Sequence, residues 1–164
     1  MSLTSIDYAR LIQYTAQKKH KVLLNKTQIN KVLFYVYGAY LADNGTPLFT
    51  DDTPKAWTYG PVFPRPNKKV DVNEIITSFP PEKVREFKEH PDVLDLVIKV
   101  VDNMYDRSAV SLTRWSHQEG SPWYDTVYEK DSEGNITNQR PWNTRIDDDK
   151  IRRYFRDKEN RVFG

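Results

Sequence analysis

His117 follows Ser116 and precedes Glu119, so an imidazole, a hydroxyl and a carboxylate fall within four positions. Acid–base or nucleophilic use of such groups requires them to converge on one reacting atom. Neighbouring residues of a helix point in different directions, and this spacing is therefore no hydrolase signature. A histidine near a helix end also suits a structural role, at the negative terminus or against a backbone carbonyl. The acidic runs Asp51-Asp52 and Asp147-Asp148-Asp149 could hold a hard cation. Neither shows the spaced ligands of a calcium loop, so capping and solvation are the preferred reading and no metal is assigned. A third grouping, KIRRYFRDKENR, sets Lys150, Arg152, Arg153, Arg156, Lys158 and Arg161 around Tyr154 and Phe155. Basic residues interleaved with rings can grip phosphates and stack on bases. Here Ile151, Tyr154 and Phe155 occupy the 0, 3, 4 offsets of one helical side, which favours rings docked on a core beneath an outward basic ridge.

The chain that must position these groups has 164 residues, a formal net charge of +2 and no cysteine. That length suffices for one self-supporting domain, and residues 1–164 are read as a single one. Lack of cysteine excludes disulfides, thiolate nucleophiles and sulfur-rich zinc sites, and fits a reducing compartment. With no apolar run near the length of a membrane span and no basic-then-apolar leader, the expectation is a soluble, cytoplasmic protein. Residues 1–40 carry Arg10, Lys18, Lys19, Lys21, Lys26 and Lys31 against Asp7 alone, leaving the remainder net acidic. Such asymmetry suits nucleic acid or an acidic protein partner, or a solvated basic helix face.

Hydrophobic spacing predicts a mainly α fold, a compact helical domain with a minor β element. Ser5 is the expected cap of a first helix reaching about His20, and Asn25 or Thr27 that of a second. In the second, Ile29, Val32, Leu33, Val36, Tyr37, Tyr40 and Leu41 form one stripe, and Gly45 just beyond suits a left-handed C-cap. From Thr46 to Asn67 five prolines forbid a long helix, and a short extended piece over residues 55–59 is expected. Helical signals are weak over 72–77 and 81–89, then strong from Pro91. Ser108 is the expected cap of a helix ending near Ser116 or His117, before Gly120 and Pro122. The polar stretch DSEGNITN is expected to join two short strands, and Asp147 to cap a last helix from Asp148.

The proline-rich stretch contains AWTYGPVFPR. Alternation places Trp57 and Tyr59 on one side, packing inward on the helices. Gly60 supplies conformational freedom and Pro61 restricts its neighbour, making a stiff corner with Val62. From that corner Phe63 and Arg65 are expected to turn partly outward toward a partner, since aromatic and arginine side chains are enriched among interface hot spots. Trp115 and Tyr124 complete the set of candidate partner contacts.

Taken together, KVLFYVYGAYLADNGTPLF, AWTYGPVFP and SLTRWSHQEGSPWYD resemble the Panacea domain, also called the SocA-like antitoxin domain, earlier catalogued among phage-associated and genetic-element proteins. The resemblance runs from about Thr27 to Tyr154. Its specific parts are Trp57, Tyr59, Gly60, Pro61 and Val62, then Leu112 through His117 to Pro122 and Trp123. It implies a mostly helical antitoxin that neutralises a cognate toxin protein, commonly encoded by a neighbouring gene; one family member is an adaptor delivering its toxin to a protease. It brings no catalytic set, so the chain is expected to be no enzyme and to need no cofactor. The alternative is a nucleic-acid-binding regulator of a mobile element, acting through the basic N-terminal and C-terminal helices. A small hydrolase using His117 with nearby acids is a third class.

Overall fold

The computed structural model describes residues 3–161. Helix α1 (Ser5–His20) begins at Thr4, whose hydroxyl accepts from the Asp7 amide while the Asp7 carboxylate accepts from the Thr4 amide. The expected cap, Ser5, is thereby displaced by one residue. Ser5 lies buried in the first turn and donates to Asp51 through both its amide and its hydroxyl, each at 2.8 Å.

Helix α2 (Lys26–Asn44) starts at Asn25, one of the two expected caps, where Gln28 closes a second capping box. It ends at Gly45, whose φ of 78° is the left-handed cap that glycine permits. The expected stripe is only part of its buried surface, because every residue from Ile29 to Ala39 is buried. A helix enclosed on all sides occupies the middle of a fold.

The chain then forms strands β1 (Lys55–Trp57) and β2 (Gly60–Val62) and a short helix α3 (Pro64–Lys69). This resolves the proline-rich stretch into a hairpin and one helical turn begun by Pro64, whose missing N–H would have no helical acceptor there. The weak helical signal over 72–77 is not realised. Its backbone is held instead by glutamines of α1: Gln17 accepts from the Ile76 amide at 2.9 Å and donates to the Glu74 carbonyl at 2.8 Å, and Gln13 donates to Val72. Side chains thus take the place of a helical ladder.

Helices α4 (Pro81–Glu89), α5 (Pro91–Met104) and α6 (Ala109–Ser116) follow as expected, with Ser108 capping α6 through the Ser111 amide. Pro122 then opens a further helix, α7 (Pro122–Val127), capped by Ser121. Strands β3 (Tyr128–Lys130) and β4 (Ile136–Gln139) flank the polar turn, β5 (Thr144–Arg145) comes next, and α8 (Asp148–Arg156) is capped by Asp147. The larger sheet runs β2-β1-β5, all antiparallel; β3 and β4 pair separately. The fold is mainly α, 57% helical, with a minor β element. Among the described residues no helix is long and apolar enough to cross a membrane.

One hydrophobic cluster extends from Leu3 to Phe155, with α2 packed against α1, α5, α6, α8 and β2. Where α8 crosses α2, Gly38 leaves room for the Phe155 ring: a Cβ there would lie 2.1 Å from Cδ2. Ile151 and Phe155 are fully buried and Tyr154 partly so, which docks α8 by the side its spacing indicated.

Candidate functional site

The β1–β2 hairpin turns through Thr58 and Tyr59, with Trp57 opposite Gly60 in the register. Because the strand stops at Trp57, alternation does not reach Tyr59. This corrects the expectation that both rings pack inward. Tyr59 stands 70% exposed at the tip. Trp57 is half-buried, its ring 5.1 Å from that of Trp142 and its indole N–H donating to the Asn143 side chain. A second correction concerns Phe63, expected to face a partner. It is fully buried, its ring 5.4 Å from Tyr37 and 5.3 Å from Phe49. Its amide donates to the buried Asn30 side chain at 2.9 Å, which ties the exit of the hairpin to α2.

Gly60 has a φ of 116°, a conformation that L side chains rarely adopt. A Cβ on it would meet Ser116 Oγ at 2.5 Å and Lys31 Cε at 2.6 Å. Behind the corner lies Lys31, counted from the sequence among the N-terminal basic residues that would meet a partner or solvent. It is fully buried, and its ammonium nitrogen donates to the Pro61 carbonyl at 3.3 Å. Burial pulls its pKa down to about 7. Pro61 and Val62 are themselves buried, so the corner works as a plug over the middle of α2.

The other wall comes from α6 and α7. Leu112 is fully buried, and Ser116, one turn on, donates its hydroxyl to Thr113 and accepts at its carbonyl from Ser121. His117 lies flat on Trp123, rings 3.7 Å apart and 9° from parallel. The Trp123 indole N–H donates to the Trp57 carbonyl at 2.7 Å, and Pro122 sets Trp123 in the first turn of α7. The His117 Nε2 is buried without a hydrogen-bond partner. Burial foremost, and then the nearby Lys31 charge, hold its pKa below the ordinary histidine value against the opposing effect of the Thr58 backbone.

Ser116, His117 and Glu119 therefore face three different ways, since Glu119 pairs outward with Lys130. The acidic runs are likewise engaged. Asp51 holds Ser5 and Arg65, Asp52 accepts from the Arg65 amide, and Asp148 accepts from the Tyr37 hydroxyl. No group of three or more metal-binding side chains gathers among the described residues. The C-terminal ridge is partly neutralised within the molecule: Lys158 and Arg161 pair with Asp43, and Arg152 with Asp149.

Of the remaining candidate contacts, Arg65 is exposed and paired with Asp51 at 3.2 Å. Trp115 is half-buried against Tyr35 and Phe155. Tyr124 is half-buried beside Tyr128, with the Lys130 ammonium 5.0 Å from its ring centre. These residues do not form one patch with Phe63. The residues missed from sequence are Lys31 and Asn30, for which the available signal was a polar pair embedded in the run INKVLFYV, and Val110, an apolar side chain 68% exposed on α6.

A family model described as the antitoxin SocA-like Panacea domain matches residues 29–124. These limits take in α2 from Ile29 onward, the hairpin, α6 and the start of α7, and stop short of the Tyr154 limit expected from the motifs. No curated protein and no solved structure matches the chain.

Proposed function

The chain belongs to the SocA-like Panacea antitoxin domain family, and on that premise we propose that it neutralises a cognate toxin protein by direct, stoichiometric binding. The observation that carries this reading is the family match over the segment that builds the corner and its supports. A plug of buried Lys31, Gly60 and Pro61, clamped by Trp123 and His117, suits a rigid platform better than a reaction centre. Binding to such a platform loses little conformational entropy on the antitoxin side, which favours affinity. The toxin is the product of a neighbouring gene, and hand-over of the complex to a protease is a further role open to this family member.

Regulation of a mobile element through nucleic acid has less support, because the C-terminal ridge spends several cations on Asp43 and Asp149. Co-expression with each neighbouring gene that is toxic alone tests the proposal. Restored growth together with a co-purifying complex supports it; the absence of both for every toxic neighbour contradicts it.

A further inference from the structure

A cleft of about 400 Å³ opens beside the hairpin tip, lined by Thr27, Tyr59, Ala109, Val110 and Thr113. Two of these residues are anomalous for their positions. Turn residues are ordinarily small or polar, yet Tyr59 stands 70% exposed at the tip of a two-residue turn. Val110 lies on the outer side of α6, opposite the buried Leu112 and Ser116, and is 68% exposed, although a β-branched residue contributes little to an exposed helix. Folding requires neither side chain. They come from distant parts of the chain and converge on one cleft.

The rim is electropositive. Thr27 belongs to the first turn of α2 and Ala109 opens α6, so the positive ends of both helices meet here, fastened by Gln28 donating to the Arg107 carbonyl at 2.9 Å. Lys26 and Arg114 are exposed beside the lining residues, and neither belongs to an ion pair among the described residues. Arg114 follows Val110 by one helical turn and shares its side of α6. The loop leading into α6 contributes one acid, Asp106.

We propose that this cleft seats an acidic segment of the toxin, with a bulky apolar side chain packed between Tyr59 and Val110 and flanking carboxylates meeting Arg114 and Lys26. The inference rests on the toxin-binding reading and supplies the surface it lacks. A second apolar groove, between α1 and α5 and lined by Leu11, Tyr14, Leu94 and Val97, has its cations already engaged: Lys19 pairs with Asp102, and Lys18 lies over the Tyr14 ring. A nucleic acid would want several rings to stack on. The Tyr59 cleft offers one ring and an aliphatic floor.

The test uses the toxin that the full chain neutralises in co-expression. Val110→Glu, Arg114→Glu and Tyr59→Ser each alter an exposed side chain, and thermal unfolding confirms that each variant folds as the parent does. Each is expected to weaken toxin binding about tenfold or more. Ile136→Glu, on the exposed face of β4, is expected to leave binding unchanged. A photocrosslinker at position 110 is expected to capture a toxin peptide carrying Asp or Glu around an apolar residue. Parental affinity in both glutamate variants, capture of a basic peptide, or release of a labelled DNA duplex instead of the toxin by these substitutions would overturn the inference while leaving neutralisation itself intact. If the parent chain binds no toxin, the toxin-binding reading fails first and the cleft assignment falls with it.

Discussion

Gly60 lies so close over Lys31 that a methyl group on its Cα would come within 2.6 Å of Cε and 3.0 Å of Nζ. The corner therefore rests directly on the Lys31 side chain, with no space for a side chain at Gly60 itself. Gly60→Ala adds the strain of φ 116° to overlap with Ser116 and Lys31, and is expected to cost about 2 kcal/mol or more. A urea titration reads this as a lower midpoint with an unchanged slope. An unchanged midpoint would mean that the hairpin does not press on α2.

Stability should rise with pH above neutrality because of Lys31. The unfolded chain keeps this proton up to about 10.5, whereas the folded chain releases it near 7, so between those values protonation favours unfolding. The slope approaches roughly 1.4 kcal/mol per pH unit within that window. Depression of His117 acts in the same direction, but below its ordinary value of 6.5. Tyr8, Tyr35 and Tyr37, whose pKa values burial raises, oppose the trend only above pH 10. Chemical denaturation at pH 7, 8 and 9 should show the rise in the parent and a flattened profile in Lys31→Met. Equal slopes would place the Lys31 amine outside its buried setting.

Phe63 and Arg65 are two positions apart and should behave oppositely. Phe63→Ala empties the space between Tyr37 and Phe49 and is expected to cost about 3–5 kcal/mol. Arg65→Ala loses an exposed pair with Asp51, worth less than about 1 kcal/mol. Thermal melts of the two variants compare them directly, and similar losses would contradict the burial of Phe63.

Much of the helical frame was legible because its signals are local. The α2 stripe, Gly45, Pro91 and Ser108 each act within a few residues of the boundary they set, and the structure keeps all of them. The site was less legible because its burial comes from distant segments. Lys31 reads as an outward charge until residues 60–61 and 116 are folded over it. Tyr59 was expected inward because alternation was carried through a turn that ends the strand at Trp57, and Phe63 outward because its residue type suits an interface, whereas Tyr37 and Phe49 enclose it. The stretch 72–77 lost its helix to Gln13 and Gln17, whose reach across from α1 leaves no periodic trace.

Gly38 and Phe155 should be energetically coupled. Gly38→Ala gains helix propensity of about 1 kcal/mol but drives a methyl group into the ring, so a net loss of stability is expected. Phe155→Leu reduces the overlap at the cost of packing. In a double-mutant cycle followed by urea unfolding, the pair should cost less than the sum of its members. Strict additivity would contradict close packing of α8 on α2.

Inhibition of the purified toxin, followed as this protein is added in increasing amounts, tests most directly whether neutralisation is binding without turnover. The expected result is a linear fall in toxin activity that ends at a fixed molar ratio, with both chains recovered intact as one complex. Toxin inactivated by trace amounts, or recovered chemically altered and free, would contradict it.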